Sequence, residues 1–124
     1  MTTILLVEDN ELNRDMLARR LEHRGFDIIF ASNGKEGIQV ARENQPNIIL
    51  MDINLPVMDG WEATQTIKSD DTIKQIPVIG LSAHSNSEDI QKALDCGFDE
   101  YETKPVDLPR LLNKISIFCD KKSA

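Results

Sequence analysis

The feature that most constrains this chain is an alternation. Short apolar runs rich in β-branched residues recur roughly every 20 to 30 residues: Thr3 to Val7, Asp27 to Ala31, Asn47 to Met51, Pro77 to Leu81 and, more polar, Glu100 to Thr103. The gaps carry helical spacing. Leu108, Leu111, Leu112, Ile115, Phe118 and Cys119 fall at offsets of 3, 4, 7, 10 and 11, and Ile90, Ala93, Leu94 and Gly97 at 3, 4 and 7. Each is a single apolar stripe suited to lie on a sheet. Start and stop signals agree: Asp59 with Glu62 and Ser85 with Glu88 have capping-box spacing, Asp107 sits two before Pro109, and Gly25 and Gly97 fall where helices should stop. Five βα units without tight hairpin signals predict parallel strands joined by right-handed crossovers. The first and third runs are nearly unbroken apolar stretches, as in buried central strands, and the short polar fifth reads as an edge. The expectation is an α/β, three-layer, doubly wound sandwich on a parallel five-stranded sheet. Its 124 residues, 40% of them hydrophobic, suffice for one domain and one core without disulfide or metal staples. That core is expected over 3–120, with 121–124 a flexible tail.

Composition removes several functions. With 14 Lys+Arg against 21 Asp+Glu the net charge is −7. No basic run is present, which argues against direct nucleic-acid binding and against an anionic membrane surface. The opening apolar run is too short for a signal peptide or a membrane span, so a cytoplasmic location is expected. Cys96 and Cys119 lie in stretches that read as helices, in no metal or redox spacing, and are expected to be plain reduced thiols. Gly34-Lys35 is no P-loop, because Ile29 stands where its first glycine belongs. Trp61 and His23 read as helix residues without assigned chemistry.

In a doubly wound sheet, function collects outside the carboxyl ends of the strands. Glu8 and Asp9 follow the first strand, Asp52 ends the third and is followed by Ile53-Asn54, Ser82 ends the fourth, and the fifth runs into Lys104-Pro105. Each has a bland alternative. Asp9 or Asn10 would serve as N-cap for a helix beginning near Glu11, Asp52 as a cap, Ser82 as an ordinary strand terminator and Lys104 as a solvated lysine. Together they carry more weight, because carboxylates about 4 Å apart repel by about 4 kcal/mol at an effective dielectric of 20 and so call for a cation. Oxygen ligands without His or Cys favour a hard ion, and Mg²⁺ fits better than zinc.

The ordered set Leu5-Leu6-Val7-Glu8-Asp9-Asn10, Asp52 through Gly60, Leu81-Ser82-Ala83 and Lys104-Pro105 resembles the receiver domain of two-component response regulators, the histidine–aspartate phosphorelay family. The likeness is to its stand-alone form, similar to the chemotaxis regulators. By subtraction, Ser82 lies 30 and Lys104 52 residues beyond Asp52, as that pattern requires. The resemblance covers 1–124 as a single receiver domain and implies a flavodoxin-like strand order 2-1-3-4-5. It implies that Asp52 accepts the phosphoryl group, that Glu8, Asp9, Asp52 and the backbone carbonyl of Asn54 form the Mg²⁺ site, and that Lys104 and Ser82 contact the phosphoryl group. It makes Ser82, Ala83 and Tyr101 a switch, with Pro105 at a candidate cis peptide after Lys104. Tyr101 would otherwise simply pack against the last helix. Asn54 and His84 flank the approach of water and are expected to set the lifetime of the acyl phosphate. The mild departures, Glu8 for a possible Asp and Ser82 for a possible Thr, leave phosphorylation intact.

The implied function is a response regulator that takes its phosphoryl group from a histidine kinase or phosphotransfer protein and signals through phosphorylation-dependent protein binding. It is not an enzyme beyond its own phosphorylation and dephosphorylation. With no effector after the last helix, output is expected through the face made by the fourth helix, fifth strand and fifth helix. The alternatives are a phosphorylation-independent scaffold of the same fold and a receiver piece of a longer regulator or hybrid kinase. A dehalogenase-like phosphohydrolase would want a carboxylate where Asn54 stands. A flavodoxin-like cofactor binder would have to seat phosphate against Glu8 and Asp9.

Overall fold

The computed structural model of the chain describes residues 2–53, 60–82, 87–103 and 106–123. Strands and helices alternate strictly: β1 (Thr3–Val7), α1 (Glu11–Glu22), β2 (Asp27–Ala31), α2 (Gly34–Asn44), β3 (Ile48–Asp52), α3 (Gly60–Lys68), β4 (Val78–Ser82), α4 (Ser87–Asp95), β5 (Glu100–Thr103) and α5 (Leu108–Ser123). Every pairing is parallel and the order is β2-β1-β3-β4-β5. The chain moves outward from β1 to β2 and then crosses back to β3. The point where its direction reverses lies between β1 and β3.

Period-2 alternation divides the apolar residues between two layers. Ile4, Leu6, Ile48, Leu50, Ile79 and Leu81 meet Ala18 and Leu21 of α1 and Leu111 and Ile115 of α5. Leu5, Val7, Ile49, Met51 and Val78 meet Ile38 and Ala41 of α2, Ala63 and Ile67 of α3 and Ala93 of α4. Both faces of β1 and β3 are therefore covered, as their unbroken apolar runs require. Each fully buried Leu or Ile contributes about 1.5–3 kcal/mol to holding the layers together.

Helix ends follow local chemistry. Asn10 and Asn33 cap α1 and α2 by accepting from the amides of Asn13 and Glu36, and Asp107 accepts from the Arg110 amide at the start of α5. Gly25 and Gly97 stop their helices at φ +93° and +110°, values that favour glycine. The capping residues expected for α3 and α4, Asp59 and Ser85, lie outside the described residues.

Four details differ from the pattern reading. β3 and β4 each begin and end one residue later, because Asn47 turns its side-chain oxygen to the Thr3 amide and Pro77 has no N–H for the ladder. Leu94 is 40% exposed, so the stripe of α4 that meets the sheet is narrower than its apolar spacing. Cys96 follows α4 in a turn rather than lying within it, and its Sγ is 3.8 Å from Gln65 Nε2. The last helix continues to Ser123, into the segment expected to trail away. Among the described residues, no helix is long and apolar enough to cross a membrane.

Candidate functional site

Because all five strands are parallel, their carboxyl ends open onto one edge. The residue after β1, Glu8, continues the ladder by donating its amide to Ala31 O at 3.1 Å. Its Oε1 accepts from the Asn10 amide at 3.1 Å. Asn10 caps α1 with its own side chain, which settles the question left open between Asp9 and Asn10 and leaves the exposed Asp9 carboxylate outside the cap. Asp52 is the last residue of β3, paired with Leu81, and the Ile53 amide extends that ladder to Leu81 O at 3.0 Å.

These three side chains converge. One carboxylate oxygen from each of Glu8, Asp9 and Asp52 lies within 4.8 Å of the others. Glu8 and Asp52 are each only 4% exposed. Gathering three acids in a sheltered corner is costly, since neighbouring charges repel by kilocalories per mole at reduced dielectric. The all-oxygen set, with one exposed side facing solvent, fits a hard divalent ion that keeps part of its hydration, which is the chemistry of Mg²⁺.

α3 starts hard against this corner. Its first residue, Gly60, donates to Ile53 O at 2.9 Å, and a side chain there would collide with the Asp52 carbonyl oxygen and come 2.7 Å from Ile53 Cα. The glycine ending the Asp59-Gly60 motif is thus a requirement of close backbone approach beside Asp52.

Ser82 ends β4, opposite Thr103 of β5, and is 2% exposed. Tyr101 is 4% exposed and belongs to the cluster of Ala93 and Phe98 with Ile90 packed on it. It thus groups with the buried layer under α4 and not with that of Leu111 and Ile115, although its backbone carbonyl accepts from Lys114 Nζ of α5 at 2.7 Å. Asn54, Ala83, His84, Lys104 and Pro105 lie outside the described residues.

Sequence reasoning passed over Glu102. Its side chain is 1% exposed on the α5 side of β5, 2.7 Å from Arg110 Nη2 and 3.1 Å from Lys114 Nζ. Glu102 raises the pKa of the Arg110 guanidinium, through their hydrogen bond first and charge attraction second. The signal was present: Glu100 and Glu102 share one strand face, and Arg110 and Lys114 one face of the next helix. A groove of about 490 Å³ lies on this same side of the sheet. Leu6, Leu17, Leu81 and Val106 line it, Met16 and Arg20 border it, and Glu8 joins it to the acidic corner.

A parallel 2-1-3-4-5 sheet with an acidic corner beside its switch point defines a phosphorelay receiver. The model of the response regulator receiver domain matches residues 4–116, and the chain belongs to that family, the receivers of two-component signalling. It is 37% identical to the polar-differentiation response regulator DivK of Brucella anthropi over 116 residues, 94% of each chain. The receiver domain of a Pseudomonas aeruginosa sensor histidine kinase, solved with magnesium coordinated in its active site cleft, superposes with a TM-score of 0.89 at 29% identity, covering 96% of this chain and 98% of that one. The receiver domain of the Saccharomyces cerevisiae response regulator Ssk1, solved with the histidine phosphotransfer protein Ypd1, gives 0.90 at 29% identity, covering 99% and 92%.

Proposed function

We propose that Asp52 accepts a phosphoryl group from the phosphohistidine of a kinase or phosphotransfer protein, and that the chain passes this event on by a change in protein binding. The observation that carries the reading is the convergence of Glu8, Asp9 and Asp52 within 4.8 Å at the end of the central strand. In the transfer, an Asp52 carboxylate oxygen attacks phosphorus. The phosphorus–nitrogen bond of the donor breaks, its electron pair leaves with the imidazole, and an acyl phosphate remains. Asp9, Asp52 and the Asn54 carbonyl would hold Mg²⁺ with Glu8 beside them, and the ion would offset charge on the phosphoryl oxygens. Glu8, largely buried, accepts the Asn10 amide and so ties the turn carrying Asp9 to the end of β1.

Ser82 is the proposed sensor, since a hydroxyl donating to a charged phosphoryl oxygen gains about 1.5–3 kcal/mol. That is enough to invert an equilibrium poised near ten to one. Tyr101 sits inward here with Asp52 as a plain carboxylate, so its switch role becomes a shift in how often the ring is inward. Lys104 as a second cation, Ala83 and Pro105 as switch neighbours, and Asn54 and His84 as controls on hydrolysis complete the proposed site. The output face is that of α4, β5 and α5, and its target is a protein. Self-phosphorylation and self-dephosphorylation are the only chemistry proposed.

Incubation with acetyl phosphate and Mg²⁺ followed by intact-mass measurement tests the reading. One added phosphoryl group is expected in the wild type and none in Asp52→Asn. Undiminished labelling of that variant would remove Asp52 from the role.

A further inference from the structure

The groove on the α1 side of the sheet has two unlike ends. β1 runs toward the acidic corner and α1 runs away from it, so Asn13 and Arg14 stand at the Glu8 end. Arg20 stands seven residues beyond Asn13, about 10 Å further along the helix axis. Between these ends the walls are aliphatic, made by Leu6 of β1, Met16 and Leu17 of α1, Leu81 of β4 and Val106 before α5. The two arginines differ. Arg14 is answered by Glu11 at 3.9 Å and Asp15 at 3.7 Å, and its guanidinium lies 5.0 Å over the Phe30 ring. Arg20 is exposed and forms no ion pair among the described residues. A volume of about 490 Å³ with a mostly apolar lining and few polar groups has the size and character of a small-molecule site.

We propose that this groove binds a free medium-chain aliphatic carboxylate, with the carboxylate on Arg20 and the chain lying along Leu17, Leu6 and Leu81 toward the acidic corner. Each part of the ligand answers an observed feature. The groove's unpaired guanidinium calls for one negative charge, and its place at the end remote from Glu8, Asp9 and Asp52 keeps that charge away from theirs. The lining residues carry no aromatic ring on which a planar ligand could stack, and a run of methylenes fits walls of Leu, Met and Val. A peptide is disfavoured, because its amides would need partners along walls that are aliphatic between the two ends. A phosphorylated ligand would bring a second negative charge that Arg20 alone does not balance. An anionic membrane surface would spread its charge over the acidic corner as well, whereas a single carboxylate meets only the arginine.

The test is a titration of the wild type with hexanoate, octanoate and decanoate, all below micelle-forming concentrations, followed by amide chemical shifts in proton–nitrogen NMR. Shifts are expected to cluster at Leu6, Asn13 to Arg20, Leu81 and Val106. Affinity should rise about two- to fourfold for each added methylene, fourfold corresponding to its full transfer out of water. Arg20→Glu should weaken decanoate roughly tenfold or more, the worth of a charge-assisted contact, and let decylammonium bind in its place. Met16→Glu, which sets an acid beside the chain, should weaken decanoate too. Both side chains are exposed, so both variants should keep the circular dichroism of the wild type. Equal affinity along the chain-length series, decylammonium binding the wild type as well as decanoate does, shifts confined to other surfaces, or decanoate binding unmoved by Arg20→Glu would overturn the proposal. So would retention of the protein by phosphatidylglycerol vesicles while free decanoate shifts no resonance of the groove.

Discussion

The two ends of the sheet treat carboxylates in opposite ways. At the amino end of β4, Asp99 accepts from the Val78 amide at 2.8 Å and pairs with Lys68 at 2.7 Å, and the same lysine donates to Ile76 O at 2.9 Å and Lys74 O at 3.3 Å. Acid and cation arrive together there, one from α3 and one from the turn before β5, and the result is a strut. At the carboxyl end, Glu8, Asp9 and Asp52 are brought within 4.8 Å of one another. The first arrangement stores stability. The second gathers like charges that repel one another and that a bound cation would offset.

That contrast can be broken from either side. The largest effect is expected at the carboxyl end: Asp9→Asn, or chelation of Mg²⁺, should lower phosphoryl labelling by acetyl phosphate by at least a hundredfold, read by intact mass, with folding unimpaired. Equal labelling with and without the metal would mean that the acidic corner is not an ion site. At the amino end, Lys68→Met leaves Asp99 with only the Val78 amide and leaves the Lys74 and Ile76 carbonyls without that donor. It should cost about 2–4 kcal/mol in urea denaturation while labelling of the folded fraction persists. A loss of labelling with stability intact would reverse the roles assigned to the two ends.

Mg²⁺ should stabilise the wild type by about 1.4 kcal/mol at ten times its dissociation constant, a rise in Tm that Asp9→Asn and Asp52→Asn should not show. Trp61, the single tryptophan and the neighbour of Gly60, offers a fluorescence signal for the same titration. The smallest effect concerns a surface acid at neither strand end. Asp70 is drawn down from 3.8 to about 2 by the Thr72 hydroxyl and amide, with Arg42 adding to it. A carboxyl with a lowered folded pKa contributes stability that is complete above its unfolded value and is lost as pH falls through the folded one. The small stability difference between wild type and Thr72→Val should therefore be full at pH 5 and largely lost by about pH 2. A difference that holds constant down to pH 2 would show that the hydroxyl does not act through the Asp70 charge.

Much of this was legible because the fold writes itself in periodicity. β1 and β3 are buried on both faces and so read as unbroken apolar runs, and the parallel crossovers then oblige Glu8, Asp9, Asp52 and Ser82 to share an edge. What escaped were pairings that depend on three-dimensional distance. Nothing local marks Lys68 as the partner of Asp99, 31 residues away. Glu102 drew no reading of its own, because its burial depends on α5 laying Arg110 and Lys114 over the short polar strand. Tyr101 was assigned to the right strand, but the side on which its ring packs depended on which helix covers that face of β5. The one-residue shifts of β3 and β4 came from Asn47 and Pro77, whose side chains decide where a ladder begins.

The central claim is that the convergence at the carboxyl end exists to make Asp52 a phosphoryl acceptor. Borohydride reduction of the protein after treatment with acetyl phosphate and Mg²⁺, followed by peptide mapping, tests this directly, because an acyl phosphate is reduced to an alcohol at the residue that carried it. The account predicts homoserine at position 52 and at no other acid, dependent on Mg²⁺. Reduction at Asp9 or Glu8, or at surface carboxylates irrespective of Mg²⁺, would contradict it.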